Sequence, residues 1–485
     1  MMNGNNYPRI IISGLSGDSG KTIVSCGLIA LFKNRGLNVT GFKKGPDYID
    51  AAWLSLAAGR PARNLDSFMM GFPVIQESFL KNADKNGINI IEGNRGVFDG
   101  FNDKGIHSTA ELAKILQSPV IIVQDISKVT RTAAALVLGC LKLDPELKIA
   151  GIILNKAAGD RHIKIVREAI EGETGIPVLG AIPKLSDKFI LPSRHLGLIM
   201  PDEFERGTGV LKELKNVIED NIDVAKMYSI IINTPKPEGI PGAHFESDSE
   251  IVKSRKTKDE VRIGYFKDNS FSFYYPENLE MLEEAGAELV PLSSSVKDDA
   301  AFLQNLVELD AIYIGGGFPE INLTDLSVND EKFLALKKLV EEGLPVYAEC
   351  GGLMYLANKV IWKEKEYNLA GILPVDIKMY SKPQGHGYTE AFVDRENPFF
   401  RKGVLIKGHE FHYSRIYNYS PEIKSSLSVI RGNGSIDKRD GLIYKNVFAS
   451  YIHIHALATP EWVHGMIKCA KQFKLLKNSE ILIGE

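Results

Sequence analysis

The sequence predicts an α/β protein of two domains, each built on a mainly parallel sheet. Three observations lead there. Short β-rich runs alternate with helix-patterned stretches along most of the 485 residues, as repeated βαβ units do. That length exceeds what one ordinary core organises. The composition also breaks once: "TPKPEGIPGAHFESDSE", from Thr234, is rich in proline and glycine and is followed shortly by the charged "KSRKTKDE". Such a stretch reads as a linker. The expected division is a first domain over 1–234, a linker over 235–260 and a second domain over 261–485.

In the first half the strands are expected at "RIIISG", "NVTGFK", "NIIEG", "PVIIVQD" and "IAGIILN". Helical stretches such as "KTIVSCGLIALFKNRG" and "STAELAKILQ" lie between them. From Val261 the alternation restarts with "VRIGYF", "AELVPL", "AIYIGGG" and "PVYAEC". No internal repeat or low-complexity tract interrupts either half.

Composition narrows the function classes. Hydrophobic residues make up 44% and charged residues 25%, with a formal net charge of −3. That balance argues against a general affinity for nucleic acid or membrane surfaces. No apolar run is long enough to span a bilayer, and the start "MMNGNNYPRI" has no signal-peptide pattern. The four cysteines, Cys26, Cys140, Cys350 and Cys469, are far apart with no CxxC pair. A disulfide framework or zinc site is therefore not expected, and a reducing cytoplasm is.

The opening "IIISGLSGDSGKT" runs from an apolar strand through a glycine-rich loop into a helix starting near Lys21. Backbone N–H groups around Gly17, Ser19 and Gly20 would cradle a phosphate, Lys21 would reach its terminal oxygens, and Thr22 would offer a hydroxyl to Mg²⁺. The spacing departs from G-x-x-x-x-G-K-[ST]: Leu15 stands at the first glycine position and Gly14 precedes it by one. A glycine-rich turn that binds nothing is the plainer alternative. Acids cluster where a nucleotide–metal site needs them. Glu92 ends the strand of "INIIEGNRGVFDG" and Asp99 follows it, while Asp47 and Asp50 follow the strand before "GPDYIDAAW". Ligand crevices in open α/β sheets lie beyond the carboxyl ends of strands. Singly, each acid has an ordinary explanation as a solvated loop residue or a helix cap.

In the second half, "LPVYAE", Cys350 and "GGLMYLANKV" read as strand, nucleophile and helix. A sharp elbow there exposes the side chain, and a helix N-terminus favours thiolate over thiol. "AIYIGGGFPE" supplies Gly315, Gly316 and Gly317 as sources of oxyanion-binding N–H groups, with Gly351 beside the thiol. "FASYIHIHALATP" offers His453 and His455 on one face of a strand as the base. "GHEFHYS" offers His409 and His412 as competitors, for which a polar strand edge is an adequate account.

"ECGGLMYL", "GGGFPE", "GHEFHYS" and "ASYIHIH" together resemble a class I glutamine amidotransferase domain of the cobyrinic-acid type. "GKT", "GPDYID" and "EGNRGVFDG" resemble a dethiobiotin-synthetase-like amidoligase domain. In this order the pair resembles the cobyrinate a,c-diamide synthase family over nearly the whole chain. The resemblance implies an ATP-dependent carbon–nitrogen ligase with glutamine as nitrogen donor, and ATP, Mg²⁺, glutamine and a tetrapyrrole polycarboxylate as small-molecule partners. It implies Cys350 as glutaminase nucleophile and His453 as its base, and Thr22, Asp47 and Glu92 around the metal. Many class I glutaminases carry a glutamate two residues after that histidine, where this chain has His455, so the group that orients His453 stays open. The usual "KVGPDYIDP" and "EGxMGLYDG" are altered here, with Lys44 and Arg95 as added cations. Lys44, Asp50, Arg95 and Asp99 are therefore the acceptor-site candidates, and a nickel-sirohydrochlorin or siroheme acceptor is the rival to a corrinoid. In another class, a regulatory P-loop ATPase with an inactive amidotransferase-like binding module fits the folds but leaves Cys350 without a task.

Overall fold

A computed structural model describes residues 6–185, 193–194, 197–204, 207–237, 260–295, 299–328 and 330–483. The chain divides into two units, residues 1–243 and 244–485. Most of the predicted linker, 238–259, lies outside the described residues.

The first unit carries seven parallel strands: β1 (Arg9–Gly14), β2 (Val39–Lys44), β3 (Arg63–Leu65), β4 (Ile88–Glu92), β5 (Val120–Asp125), β6 (Ile149–Ala157) and β7 (Val178–Pro183). Their order is β3-β2-β4-β1-β5-β6-β7. Every residue of β1, β2 and β4 is buried, as in a sheet covered on both faces. The strand order reverses at β1, which lies between β4 and β5. Its outgoing loop therefore opens at the topological switch point. A small hairpin, β8 (Ser193–Arg194) and β9 (Gly197–Leu198), stands apart from this sheet.

The second unit runs through β10 (Val261–Phe266), β11 (Ala287–Leu292), β12 (Ala311–Ile314), β13 (Val346–Glu349), β14 (Ala357–Trp362), β15 (Lys365–Asn368), β16 (Leu373–Met379), β17 (Gly385–Val393), β18 (Leu405–His412), β19 (Ser414–Tyr419), β20 (Lys424–Arg431), β21 (Arg439–Tyr444), β22 (Val447–Ser450) and β23 (His453–Ile454). Ten of these form one sheet, ordered β11-β10-β12-β13-β22-β21-β20-β17-β18-β23; β14, β15, β16 and β19 form another. The expectation of a mainly parallel sheet holds only from β11 to β22. The strands beyond pair antiparallel.

The helix expected over "GGLMYLANKV" stops at Leu356, and Ala357 begins β14. Val360, Ile361 and Trp362 are β-branched and aromatic residues that pair with β15 and β16 instead. The two-residue turn at Lys363 and Glu364 has positive φ at both positions, 49° and 64°, the geometry that suits a tight hairpin. "GHEFHYS" is also not an edge: β18 lies between β17 and β23, and His409, Glu410 and His412 are buried. Two apolar clusters pack the unit. One holds Ile314, Ala348, Cys350 and Leu353. The other holds Tyr313, Tyr347, Phe448 and Trp462.

Candidate active sites

At the end of β1 the chain turns through exposed Ser16, Gly17 and Asp18 into the helix Lys21–Asn34. Gly20 caps that helix with φ 96°, and a Cβ there would lie 2.2 Å from Asn155 Nδ2, so only glycine fits. The Asn155 amide donates to Ser19 O at 2.8 Å, fastening the loop to β6. Lys21 Nζ donates to Ser16 O at 2.9 Å and lies 3.4 Å from Ser19 Oγ, bent back beneath the loop. A Cβ on Gly17 would meet nothing within 4 Å. The loop thus has a fixed base and an open crest.

Beneath it lie the acids. Thr22 Oγ1 donates to Glu92 Oε1 at 2.8 Å, which the parallel register Ile12↔Glu92 allows. Glu92 is fully buried, and its Oε2 has no hydrogen-bond partner among the described residues. Lys43, which the motifs did not single out, ion-pairs with Asp50 and stands 2.9 Å from Glu92 Oε1. Burial pushes the Glu92 carboxyl up to about 7, against the pull of Lys43. Desolvation opposes the Lys43 charge, but Asp50 and Glu92 outweigh it and hold the ammonium above its usual range. Burial, with Lys43 next, lowers Lys21.

Among the described residues no three His, Cys, Asp or Glu side chains converge as a metal site by themselves. The donors present, a threonine hydroxyl and an unpartnered carboxylate oxygen, are hard oxygens. They suit Mg²⁺ arriving with phosphates, since that ion takes one or two protein oxygens and fills its shell from substrate and water. Asp47 is engaged otherwise: its Oδ1 accepts from Asp50 N at 2.9 Å as the cap of the helix Tyr48–Ala58. Burial, with Asp50 beside it, pushes its carboxyl up to about 6.

The acceptor-site candidates separate. Asp50 belongs to the Lys43–Glu92 cluster. Asp99 Oδ2 accepts from Gly96 N at 2.8 Å and closes the turn of its own loop. Lys44 is 4% exposed, so it is not ordinary surface charge. Burial lowers it, partly offset by Asp66, and Arg95 adds to the lowering. Arg95 is exposed, with φ 51°.

In the second unit Cys350 has φ 46° and ψ −96°, a conformation that costs a non-glycine residue energy. Its N–H donates to Ser450 O at 2.7 Å, continuing the β13–β22 register Glu349↔Ser450. The helix after it, Gly351–Leu356, has six residues. Burial pushes the thiol well above its usual range, helped by Glu320, while the Gly351 backbone N–H opposes this. The thiolate expected from the helix terminus is thus outweighed by desolvation, which favours the thiol.

The glycine loop lies against His453 and against Gly351, the residue after the thiol. A Cβ on Gly316 would lie 2.4 Å from His453 Cε1, and one on Gly351 would lie 3.2 Å from Gly317 N. A Cβ on Gly317 would meet Ser270 O at 2.1 Å. Gly315 N donates to Tyr274 OH at 2.8 Å, which takes it out of the set of oxyanion donors. His453 is buried, with Nδ1 3.5 Å from Glu349 Oε2.

His409 pairs with His453 across β18 and β23, and their rings stack at 4.9 Å and 16°. Burial, then His453 and His455, lower His409 well below its usual range. His455 packs on Tyr275 at 4.6 Å between rings and stands 3.6 Å from Glu277, and the Tyr275 hydroxyl lies 3.4 Å from His409 Nδ1. His412 stacks on Tyr451 at 3.8 Å. Two supports escaped the sequence reading. Glu349 ends the strand of "LPVYAE" and Asn278 lies in "SFSFYYPENLE", and neither signals a role there.

Residues 10–199 match the family described as CobQ/CobB/MinD/ParA nucleotide binding domain, and residues 262–461 match the CobB/CobQ-like glutamine amidotransferase domain. A cobyrinate a,c-diamide synthase of Magnetococcus marinus is 42% identical over 94% of this chain and 95% of its own length. Proteins of the same name from Dehalococcoides mccartyi and Archaeoglobus fulgidus are each 38% identical, over 96% and 97% of this chain and 99% of theirs. The chain belongs to the cobyrinate a,c-diamide synthase family. The family resemblance drawn from the motifs is therefore right, and so is the α/β fold pairing a nucleotide-binding with an amidotransferase domain. No helix among the described residues is long and apolar enough to cross a membrane.

Proposed function

We propose that this protein catalyses the ATP- and glutamine-dependent amidation of the a and c acetate carboxylates of cobyrinate, in cobalamin biosynthesis in the cytoplasm. The observation that carries this reading is the match of both halves, in order and over nearly full length, to relatives of that name.

In the amidotransferase unit Cys350 attacks the side-chain amide of glutamine. His453 takes the thiol proton and returns it to the departing ammonia, leaving a glutamyl thioester that water hydrolyses to glutamate. Burial favours the thiol over the thiolate, so proton transfer to His453 accompanies attack in this reading. The N–H groups of Gly316, Gly317 and Gly351 are the candidates to hold the oxyanion.

In the nucleotide unit the loop Gly17–Thr22 and Lys21 cradle ATP. Thr22 and Glu92, with Asp47 nearby, are the residues that would hold a Mg²⁺, which would supply positive charge to the phosphates. Lys43, poised between Asp50 and Glu92, faces the charge that develops as the γ-phosphoryl group moves to an acceptor carboxylate. Ammonia then displaces phosphate. Lys44 and Arg95 are the candidates to meet further carboxylates of the macrocycle.

Cys350→Ser tests the division of labour. It is expected to abolish glutamine-dependent synthesis and glutamate release while ammonium-dependent synthesis persists. Loss of both in a folded variant would refute separate sites. Offering cobyrinate, sirohydrochlorin and siroheme separately, with ATP, Mg²⁺ and glutamine, tests the acceptor. Only cobyrinate should show the mass change of two amidations.

A further inference from the structure

We propose that Glu349 is the positioning residue for His453, in place of the carboxylate that many glutaminases carry at the position of His455. The proposal rests on the glutaminase reading above. His453 Nδ1 is turned toward Glu349 Oε2 at 3.5 Å, which leaves the Cε1–Nε2 edge of the ring against Gly316. Glu349 is fully buried and held from three sides: Oε1 accepts from Ile454 N at 3.1 Å and Tyr347 OH at 3.3 Å, and Oε2 accepts from Tyr313 OH at 3.1 Å. Tyr347 and Glu349 share a strand face by alternation, and Tyr313 sits opposite Tyr347 in register.

The histidine strand is pinned by the same network. Asn278 Nδ2 donates to Ile454 O at 3.1 Å and approaches Tyr313 OH at 3.3 Å, while its Oδ1 accepts from Ala456 N at 2.7 Å. A carboxylate fixed this firmly selects the imidazole tautomer that carries its proton on Nδ1, and it stabilises the imidazolium formed when Nε2 takes the thiol proton. His455 does not substitute for it, because its ring faces Glu277 and Tyr275. The titratable groups against His453 are thus Glu349 from β13 and His409 from β18, and the Tyr275 hydroxyl lies 3.4 Å from His409 Nδ1. Tyr313 and Tyr347 act behind the carboxylate, and His455 with Glu277 lies beyond the strand.

The test is glutamate release by Glu349→Gln, Glu349→Asp and Glu277→Gln, measured across pH, with ammonium-dependent synthesis as a check on folding. Glu349→Gln should lower kcat on the order of 10²- to 10⁴-fold, with the KM for glutamine within about twofold. Without the anion the imidazolium is less stable, so the acid limb of the pH profile should move down by about one unit. Glu349→Asp should restore the position of that limb but only part of the rate, and it carries the test if the glutamine variant loses ammonium-dependent synthesis. Glu277→Gln should leave the limb in place. An unmoved limb in Glu349→Gln, or a limb moved by Glu277→Gln, overturns the proposal. If Cys350→Ser still releases glutamate, it is the underlying glutaminase reading that fails.

Discussion

At the phosphate loop, buried opposite charges meet directly: Lys43 stands between Asp50 and Glu92, and a second lysine, Lys21, lies under the adjoining loop. At the thiol elbow no lysine or arginine among the described residues pairs with the buried acid; Glu349 is held by two tyrosine hydroxyls and a backbone N–H, and it faces an imidazole. The first arrangement suits a site that must absorb a large, moving negative charge from phosphate. The second suits one that shifts a single proton within a dry interior, where a fixed lysine would hold the acid but would also repel an imidazolium. The contrast is between charge compensation and proton placement, and each site can be broken by removing what the other lacks.

The largest expected effect is at the ionic site. Glu92→Gln should reduce synthesis by about 10³-fold or more with either glutamine or ammonium, because developing phosphoryl charge loses its metal-holding oxygen. Glutamate release without acceptor should stay near wild type. Ammonium-dependent synthesis at the normal rate would break the contrast. Gly316→Ala should do the reverse. Its Cβ would meet His453 Cε1 at 2.4 Å, and a displaced base of this kind costs on the order of 10²-fold. Glutamate release should fall while ammonium-dependent synthesis persists.

A smaller effect concerns an acid that pairs with no cation among the described residues. Burial pushes Asp440 up to about 6, despite hydrogen bonds from Gly441 N and Tyr451 N. A carboxyl raised in the folded state binds its proton more tightly there than in the unfolded chain, whose aspartates titrate near about 3.9. Its contribution is present in full below that value and is lost as pH rises through about 6. Denaturant titrations should show wild type losing stability across that window relative to Asp440→Asn; parallel curves would contradict the burial argument. The smallest effect separates two loop glycines. Gly17→Ala should change unfolding free energy by less than about 0.5 kcal/mol, whereas Gly20→Ala, strained in φ and crowded by Asn155, should cost about 1–3 kcal/mol.

What could be read in advance follows the range of the interactions. β1, β4, β5 and β10 were legible because strands buried on both faces leave continuous apolar runs, and the loop before Lys21 because glycine, lysine and threonine keep fixed spacing along one chain segment. The antiparallel strands after Leu356 were not, because their pairing depends on hairpin turns such as that at Lys363, where neither residue signals positive φ. Lys43 and Lys44 look equivalent in "GFKKGPD". Alternation sends them to opposite faces, and only the β2–β4 register, Lys43↔Glu92, shows which one meets the acids. The sequence offers His409 only as a rival base, since its stacking on His453 is a contact between residues 44 positions apart.

β13 places its side chains alternately, so Tyr347 belongs to one apolar cluster and Ala348 and Cys350 to the other. The acid and the sulfur are therefore successive residues assigned to opposite sides of one sheet. Inserting or deleting a single residue within β13 would exchange those sides. The carboxylate would then turn toward Ile314 and Leu353, and the thiol toward the tyrosines. Neither could be restored by adjusting loops elsewhere, which makes these four strand residues the least adjustable stretch of the amidotransferase unit.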